Sequence, residues 1–258
     1  MLDLRQIESF YPDSLKPFKR NLAREYLQYK ILEIIFSSNI SQKLIFMGGT
    51  ALHIAYSLPR FSEDLDFDNK GLDKASFKQL TLLIQKKLKL EGYEIEVKNS
   101  LNKVFSASLR VVNILYEMKL SRHKQEKVLI KLDTQPQDFL YQPEEIILNK
   151  FDVFTRINVV PLDILLAQKI YAIFMRKRPM GRDFFDTIYL LARTKPNLDY
   201  LKAKLKIDNF DELKANLIKR CQNLDFKQLS NDVEQFLFNS LDAKKVLLFV
   251  DYIRNLTF

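Results

Sequence analysis

Between residues 48 and 68 the chain carries Gly48-Gly49-Thr50 and then Glu63, Asp64, Asp66 and Asp68, joined by ALHIAYSLPRF. Asp64 and Asp66 alternate with Leu65 and Phe67, the period of a strand. Both carboxylates therefore leave one face, with Cα atoms roughly 6.5 Å apart. Two carboxylates so placed repel each other unless a cation lies between them. Hard oxygen donors suit Mg²⁺ or Mn²⁺, which keep positions open for phosphate oxygens. Asp133, in the alternating stretch KVLIKLDT, is the candidate third donor. From a neighbouring strand it would complete a two-ion clamp, holding the ion that activates an attacking hydroxyl or taking that proton itself. The paired glycines expose backbone N–H groups at the positive end of a helix, a ready seat for phosphate. Thr50 is placed to cap that helix and to donate its hydroxyl to the same phosphates. A Gly-Gly turn alone is usually only a turn, and an Asp-x-Asp pair is usually a solvated face. Their conjunction carries the reading.

These residues need a sheet and helices to hold them. Residues 15–37 read as a helix, with Leu27, Ile31, Ile34 and Ile35 on one face. KLIFMGG (43–49) is a short buried strand and residues 50–58 a helix that Pro59 ends. EDLDFD is a strand. Asp73 caps a helix bearing Phe77, Leu80, Ile84 and Leu88, which Gly92 closes. Strands follow at 93–99, 104–111 and 127–134, with a turn at 100–103 and one or two more strands within 145–160. Beyond Pro161 the pattern is helical, with faces at Phe210/Leu213/Leu217/Cys221, Phe226/Leu229/Val233/Phe236 and Val246/Val250/Ile253. The expectation is an α+β chain: a mixed-sheet domain over residues 1–160 and a helical domain over 161–258.

Composition narrows the class. The 258 residues carry a net charge of +9, which favours a polyanionic partner, although a lysine-rich surface is the plain alternative. One cysteine excludes an intrachain disulfide framework and fits a reducing cytoplasm. With two histidines beside it, no His/Cys zinc site can be built. No apolar run approaches the ~20 residues of a membrane span, and MLDLRQIESFYPD lacks the layout of a secretion signal. A cytoplasmic protein with no membrane contact is expected.

GGTALHIAYSLPRFSEDLDF resembles the first motif of the AbiEii/AbiGii family of nucleotidyltransferase toxins, within the DNA polymerase β-like superfamily. The match runs through Arg60, Ser62, Asp64, Leu65, Asp66 and Phe67. A second motif is matched by Lys131-Leu132-Asp133, a third by Asp163 and Lys169, and a fourth by Arg182, Asp183 and Asp186 in GRDFFDTIYLL. The resemblance implies a polymerase β-like fold and transfer of a nucleoside monophosphate from a triphosphate. It implies metal ligation by Asp64, Asp66 and Asp133 and a triphosphate contact from Lys169. Gly48, Gly49, Thr50, Arg182 and Asp183 would serve the nucleotide. It further implies an RNA acceptor such as the 3′ end of tRNA, and an antitoxin encoded beside the gene.

Other roles compete residue by residue. Lys169 lies among Leu165, Leu166, Ile170 and Ile173, where a snorkelling lysine is ordinary. Arg182 and Asp183 have a plain reading as a helix start, with Asp183 favoured near its positive end. Arg60 has two readings, a phosphate ligand or a salt-bridge brace for Asp64. His53 reads as a packed residue and Cys221 as core. The basic runs Arg176/Lys177/Arg178 and Arg122/Lys124/Lys127 are solvated surface or a track for an acceptor backbone. Two alternative functions stand beside RNA modification: nucleotidylation of a protein, and a non-catalytic regulator that binds a triphosphate. A DNA-binding module ranks last, because no helix-turn-helix or zinc-finger signature is present.

Overall fold

Strict alternation in VLIKLDTQP and FSASLRVV gives each strand one apolar and one polar face, which suits a sheet covered on one side only. A computed structural model describes residues 1–102 and 104–257. The chain divides into two compact units, residues 1–56 with 62–159 and residues 57–61 with 160–258. The turn expected at 100–103 includes Lys103, which lies outside the described residues.

The first unit runs α1 (Leu4–Glu8), α2 (Lys19–Phe36), β1 (Leu44–Met47), α3 (Gly48–Tyr56), β2 (Leu65–Asn69), α4 (Lys74–Leu90), β3 (Glu94–Leu101), β4 (Phe105–Val112), α5 (Ile114–Glu117), β5 (Val128–Pro136), β6 (Glu144–Lys150) and β7 (Val153–Val159). The strands form one sheet in the order β3-β4-β5-β2-β1-β7-β6. β2–β5 and β1–β7 pair in parallel and the other neighbours antiparallel. This is the expected mixed sheet with flanking helices. Ile95, Ala107, Leu109, Ile130 and Leu132 form the buried face. There Asn99 donates to Thr81 of α4 at 3.0 Å, and α4 also contributes Phe77, Leu80, Ile84 and Leu88 to the core. Asp73 caps α4 by accepting the Ser76 N–H at 2.8 Å.

Two boundaries near the carboxylates differ from the sequence reading. The helix expected at 50–58 begins at Gly48, so Thr50 lies inside it instead of capping it. The strand expected over 63–68 begins at Leu65, leaving Asp64 one residue ahead of it. The second shift takes Asp64 out of the strand alternation on which its shared face with Asp66 was expected.

The second unit is helical: α6 (Leu162–Met175), α7 (Gly181–Leu191), α8 (Leu198–Leu205), α9 (Phe210–Cys221), α10 (Phe226–Glu234), α11 (Lys244–Leu247) and α12 (Phe249–Asn255). Phe184 meets Phe226 and Phe249 edge-on at 5.3 and 4.9 Å between ring centroids, a favoured aromatic geometry. Gly181 lets α7 pass close to α10: a Cβ there would lie 1.8 Å from the Leu229 carbonyl oxygen. The segment 57–61 joins this unit by backbone pairing, with Phe61 N–H donating to Phe236 at 2.8 Å and Phe238 N–H to Pro59 at 3.2 Å. Cys221 is buried, and burial pushes its thiol up to about 12, so it is core and unreactive.

Candidate active site

The first unit builds a site around three strands. Asp66 on β2 stands opposite Asp133 on the parallel β5 and opposite Met47 at the end of β1. Side chains at paired positions share a sheet face, so Asp66 and Asp133 lie side by side at the point where β1 gives way to α3. Gly48 adopts φ +79°, a left-handed conformation that favours glycine. A Cβ at Gly48 would stand 2.5 Å from Asp66 Oδ2. Glycine is thus needed twice, for the turn and for room beside the carboxylate.

Asp64 is held by its surroundings. Its backbone carbonyl accepts a hydrogen bond from the buried Thr50 hydroxyl, tying α3 to the segment ahead of β2. Gln28 of α2 donates to the carbonyls of Ser62 and Glu63, each at 3.0 Å, and Arg24 pairs with Glu63 at 2.7 Å. Burial raises the Asp64 carboxyl above the usual carboxylate range. The charge of Lys131 and its backbone N–H act in the opposite direction, while the charges of Asp133 and Glu63 add to the rise. Acid is therefore crowded against acid here. Asp133 accepts a hydrogen bond at Oδ1 from Ser106, its register partner on β4. Asp68 plays another part: it is buried and accepts from the Tyr141 hydroxyl and from Gln137 at 3.3 Å. Among the described residues, no three His, Cys, Asp or Glu side chains are drawn together as a ready cation cage.

Beneath α3, Glu25 receives His53 Nε2 at 2.8 Å and Lys150 Nζ at 2.7 Å. Burial alone would raise Glu25, but the His53 and Lys150 interactions outweigh it and bring it down to about 2. Lys150 also sits 3.9 Å over the Tyr11 ring, a favourable cation–π position. His53 is packed into an ion-paired core, as its sequence setting suggests.

The second unit holds the remaining motif residues. Asp186, fully buried, accepts Arg60 Nε and Nη2 at 2.7 Å each and pairs with Lys169 Nζ at 2.8 Å. Burial would raise Asp186; the charges of Arg60 and Lys169 prevail and hold it below the usual carboxylate range. Arg60 thus braces Asp186, and the brace on Asp64 considered from sequence is not the one formed. Asp183 is buried on the first turn of α7, paired with Arg176 at 3.1 Å and accepting the Met180 N–H at 3.3 Å. Its Oδ1 has no hydrogen-bond partner among the described residues. Arg182 lies 3.6 Å from the Met180 sulfur and 5.9 Å from the Phe236 ring centre. Asp163 accepts from Asn197 at 2.8 Å.

With this geometry in hand, comparison with known proteins is decisive. A family model described as nucleotidyl transferase AbiEii toxin, type IV toxin–antitoxin system, matches residues 30–247. The chain belongs to the AbiEii family. Among solved structures, a candidate nucleotidyltransferase from H. pylori is similar at 20% identity over 91% of this chain and 94% of that one, with a TM-score of 0.56. JHP933 from Helicobacter pylori is similar at 20% identity over 91% of each chain, with a TM-score of 0.55. At this identity both speak for the fold. No curated protein matches the chain.

As an AbiEii member, the chain shows which side chains motif reading passes over. Ser106 left one signal in sequence: it alternates with Ala107 and Leu109 on the polar side of FSASLRVV. Gln28 and Glu25 left none, because a polar residue on an apolar helix gives no hint of its distant partner. Asp186 could be recognised as a motif residue, but not as the shared counter-ion of Arg60 and Lys169. No described helix is long and apolar enough to cross a membrane.

Proposed function

We propose that the chain transfers a nucleoside monophosphate from a nucleoside triphosphate to an acceptor hydroxyl, the 3′ end of an RNA such as tRNA. It would do so as the toxin of a toxin–antitoxin or abortive-infection system, in the cytoplasm, opposed by a cognate antitoxin. The observation that carries this reading is the packing of Gly48 against Asp66 with Asp133 at its side.

The donor set suits a divalent ion, Mg²⁺ or Mn²⁺. All the ligands are hard carboxylate oxygens, and the Asp64 carboxyl is raised by burial and further by its acidic neighbours, a repulsion that a cation relieves. Asp64, Asp66 and Asp133 would hold it, and when bound it supplies charge neutralisation at the phosphates and acidifies the attacking hydroxyl. The backbone N–H groups of Gly48, Gly49 and Thr50 at the start of α3 seat the β- and γ-phosphates. The acceptor oxygen attacks the α-phosphorus in line, one P–O bond forms and the bond to the β-phosphate oxygen breaks, and pyrophosphate leaves. Asp133 faces the hydroxyl whose proton is lost. Lys169 has three N–H donors and directs its charge at Asp186, so others remain for the triphosphate. Arg182 is half-buried and serves the nucleotide or the acceptor, while buried Asp183 orients the first turn of α7.

Incubating the protein with each labelled triphosphate, Mg²⁺ and total cell lysate tests the reading. Label is expected on RNA, and Asp66→Ala is expected to abolish it with the fold intact. Label confined to protein would replace the RNA acceptor with a protein one. Binding without pyrophosphate release would mark a regulator, and full transfer by Asp66→Ala would refute the metal assignment.

A further inference from the structure

The sheet order has a direction. The phosphate cradle follows β1, the carboxylates stand on β2 and β5, and β4 and β3 continue on the far side of Asp133 from the cradle. On those outer strands the polar face carries Lys98 and Ser100 of β3, Ser106, Ser108 and Arg110 of β4, and Lys131 of β5. Lys98, Ser108 and Lys131 are register neighbours in one row, and Ser100, Ser106 and Asp133 in the next. At the usual ~4.8 Å between strands, the Lys98–Lys131 row spans about 10 Å. Lys98, Ser100 and Lys131 are exposed, and Ser106, Ser108 and Arg110 are half-buried.

The charge on this face is one-sided where it meets the carboxylates. Neither Lys98 nor Arg110 has an acidic partner among the described residues, and the charge of Lys131 acts on Asp64. Of the acids of β3, Glu96 is the register neighbour of Arg110 but is engaged by Lys127 at 2.7 Å, and Glu94, one row further out, is engaged by the Asn113 amide. A cationic, hydroxyl-bearing track thus ends beside Asp133. Cations without counter-ions on an open surface fit phosphates, and serine hydroxyls fit phosphate oxygens and ribose 2′-hydroxyls.

We propose that this outer face of β3, β4 and β5 binds the phosphate–ribose backbone of the RNA acceptor, with Lys98 and Arg110 as its phosphate contacts and the 3′ end arriving at Asp133. It rests on the nucleotidyl-transfer reading above and adds the side from which the acceptor enters.

Anisotropy of fluorescein-labelled bulk tRNA with an intact 3′ end, titrated with protein across a salt series and without triphosphate, tests it. Lys98→Glu/Arg110→Glu is expected to weaken binding at least tenfold. It should also flatten the slope of log K against log salt by about one to two, as two phosphate contacts predict. Lys98→Ala/Arg110→Ala should move both in the same direction by less, which separates charge loss from damage by reversal. Lys86→Glu/Lys89→Glu on exposed positions of α4 removes equal net charge and should bind as wild type. Equal weakening by the α4 pair, or unchanged binding by the β3/β4 pair while wild type binds tRNA, overturns the track and leaves the transferase reading intact. A wild-type protein with no affinity for tRNA overturns the track together with the RNA acceptor.

Discussion

Asp64 and Asp186 are both acidic motif residues, and their surroundings treat them in opposite ways. In the first unit burial raises the Asp64 carboxyl, and the charges of Asp133 and Glu63 add to the rise against the opposing effect of Lys131. In the second unit Asp186 is sealed between Arg60 and Lys169, and its carboxyl is lowered. A buried acid with two matched cations has its charge satisfied within the fold, which is what a structural ion pair needs. A buried acid beside other acids, only partly offset by Lys131 here, is left in a condition that a cation from outside would relieve further. The contrast separates carboxylates left open for a cation from one that anchors Arg60 and Lys169, although the same family motifs contain both.

Paired substitutions test the contrast, the largest effect first. Asp66→Asn should lower nucleotide transfer by at least about a thousandfold, the scale of losing a charge that acts in the transition state. Its Tm should stay level or rise, because one of the crowded carboxylates is neutralised. Asp186→Asn should do the reverse. It strands Arg60 and Lys169 around a neutral group and should cost on the order of 3–5 kcal/mol of stability, read as a lower denaturation midpoint. Activity below the transition should fall far less than in Asp66→Asn, with any residual loss appearing in KM for the triphosphate, because Asp186 acts only through Lys169. Equal loss of activity by both variants, at equal Tm, would erase the distinction.

Glu25 sharpens the contrast because it is a sealed acid in the same unit as the crowded ones. Its folded carboxyl lies at about 2, against an ordinary glutamate near 4.5. A depressed carboxyl contributes stability that is fully present above the ordinary value and is lost as pH falls from 4.5 towards 2. The contribution is on the order of 3–4 kcal/mol, taking about 1.4 per pH unit of depression. Thermal melts over that window should drop steeply for the wild type and more gently for Glu25→Gln, which starts lower at neutral pH. Parallel acid limbs for the two proteins would show that Glu25 is not the group being titrated.

The strands themselves could be read from alternation, because period two needs no knowledge of partners; their order in the sheet, β3-β4-β5-β2-β1-β7-β6, could not, because it depends on those partners. The pairing of glycines with carboxylates could be read, since Gly48 and Asp66 lie close in sequence and only a short helix separates them. Side-chain partnership across long separations could not. Arg60 lies four residues before Asp64 in the chain, which suggests a brace on Asp64, yet it reaches Asp186 instead. Thr50 looks like a cap because threonine often is one, yet the helix starts two residues earlier and the hydroxyl serves the Asp64 carbonyl. Local pattern reveals the element, while the contact is decided by which residue of matching charge the fold brings near.

Ser106 offers the finest test, because it is a neutral group touching the crowded site. Its hydroxyl donates to Asp133 Oδ1 from the facing position on β4, which fixes one oxygen and leaves the orientation of the other set by the first. Ser106→Ala removes one charge-assisted hydrogen bond, worth about 1.5 kcal/mol. That corresponds to roughly tenfold in kcat if the bond serves to aim the carboxylate. Ser106→Thr keeps the hydroxyl and should recover most of the rate. A merely structural serine would lower Tm in the alanine variant and leave the metal-ion concentration for half-maximal rate unmoved. An aiming serine should leave Tm nearly level and raise that concentration, since a swivelling Asp133 holds a cation less well. Unchanged kcat and unchanged metal dependence in Ser106→Ala would show that the carboxylates at this site need no help from their neighbours, and that Asp133 is positioned by the backbone of β5 alone.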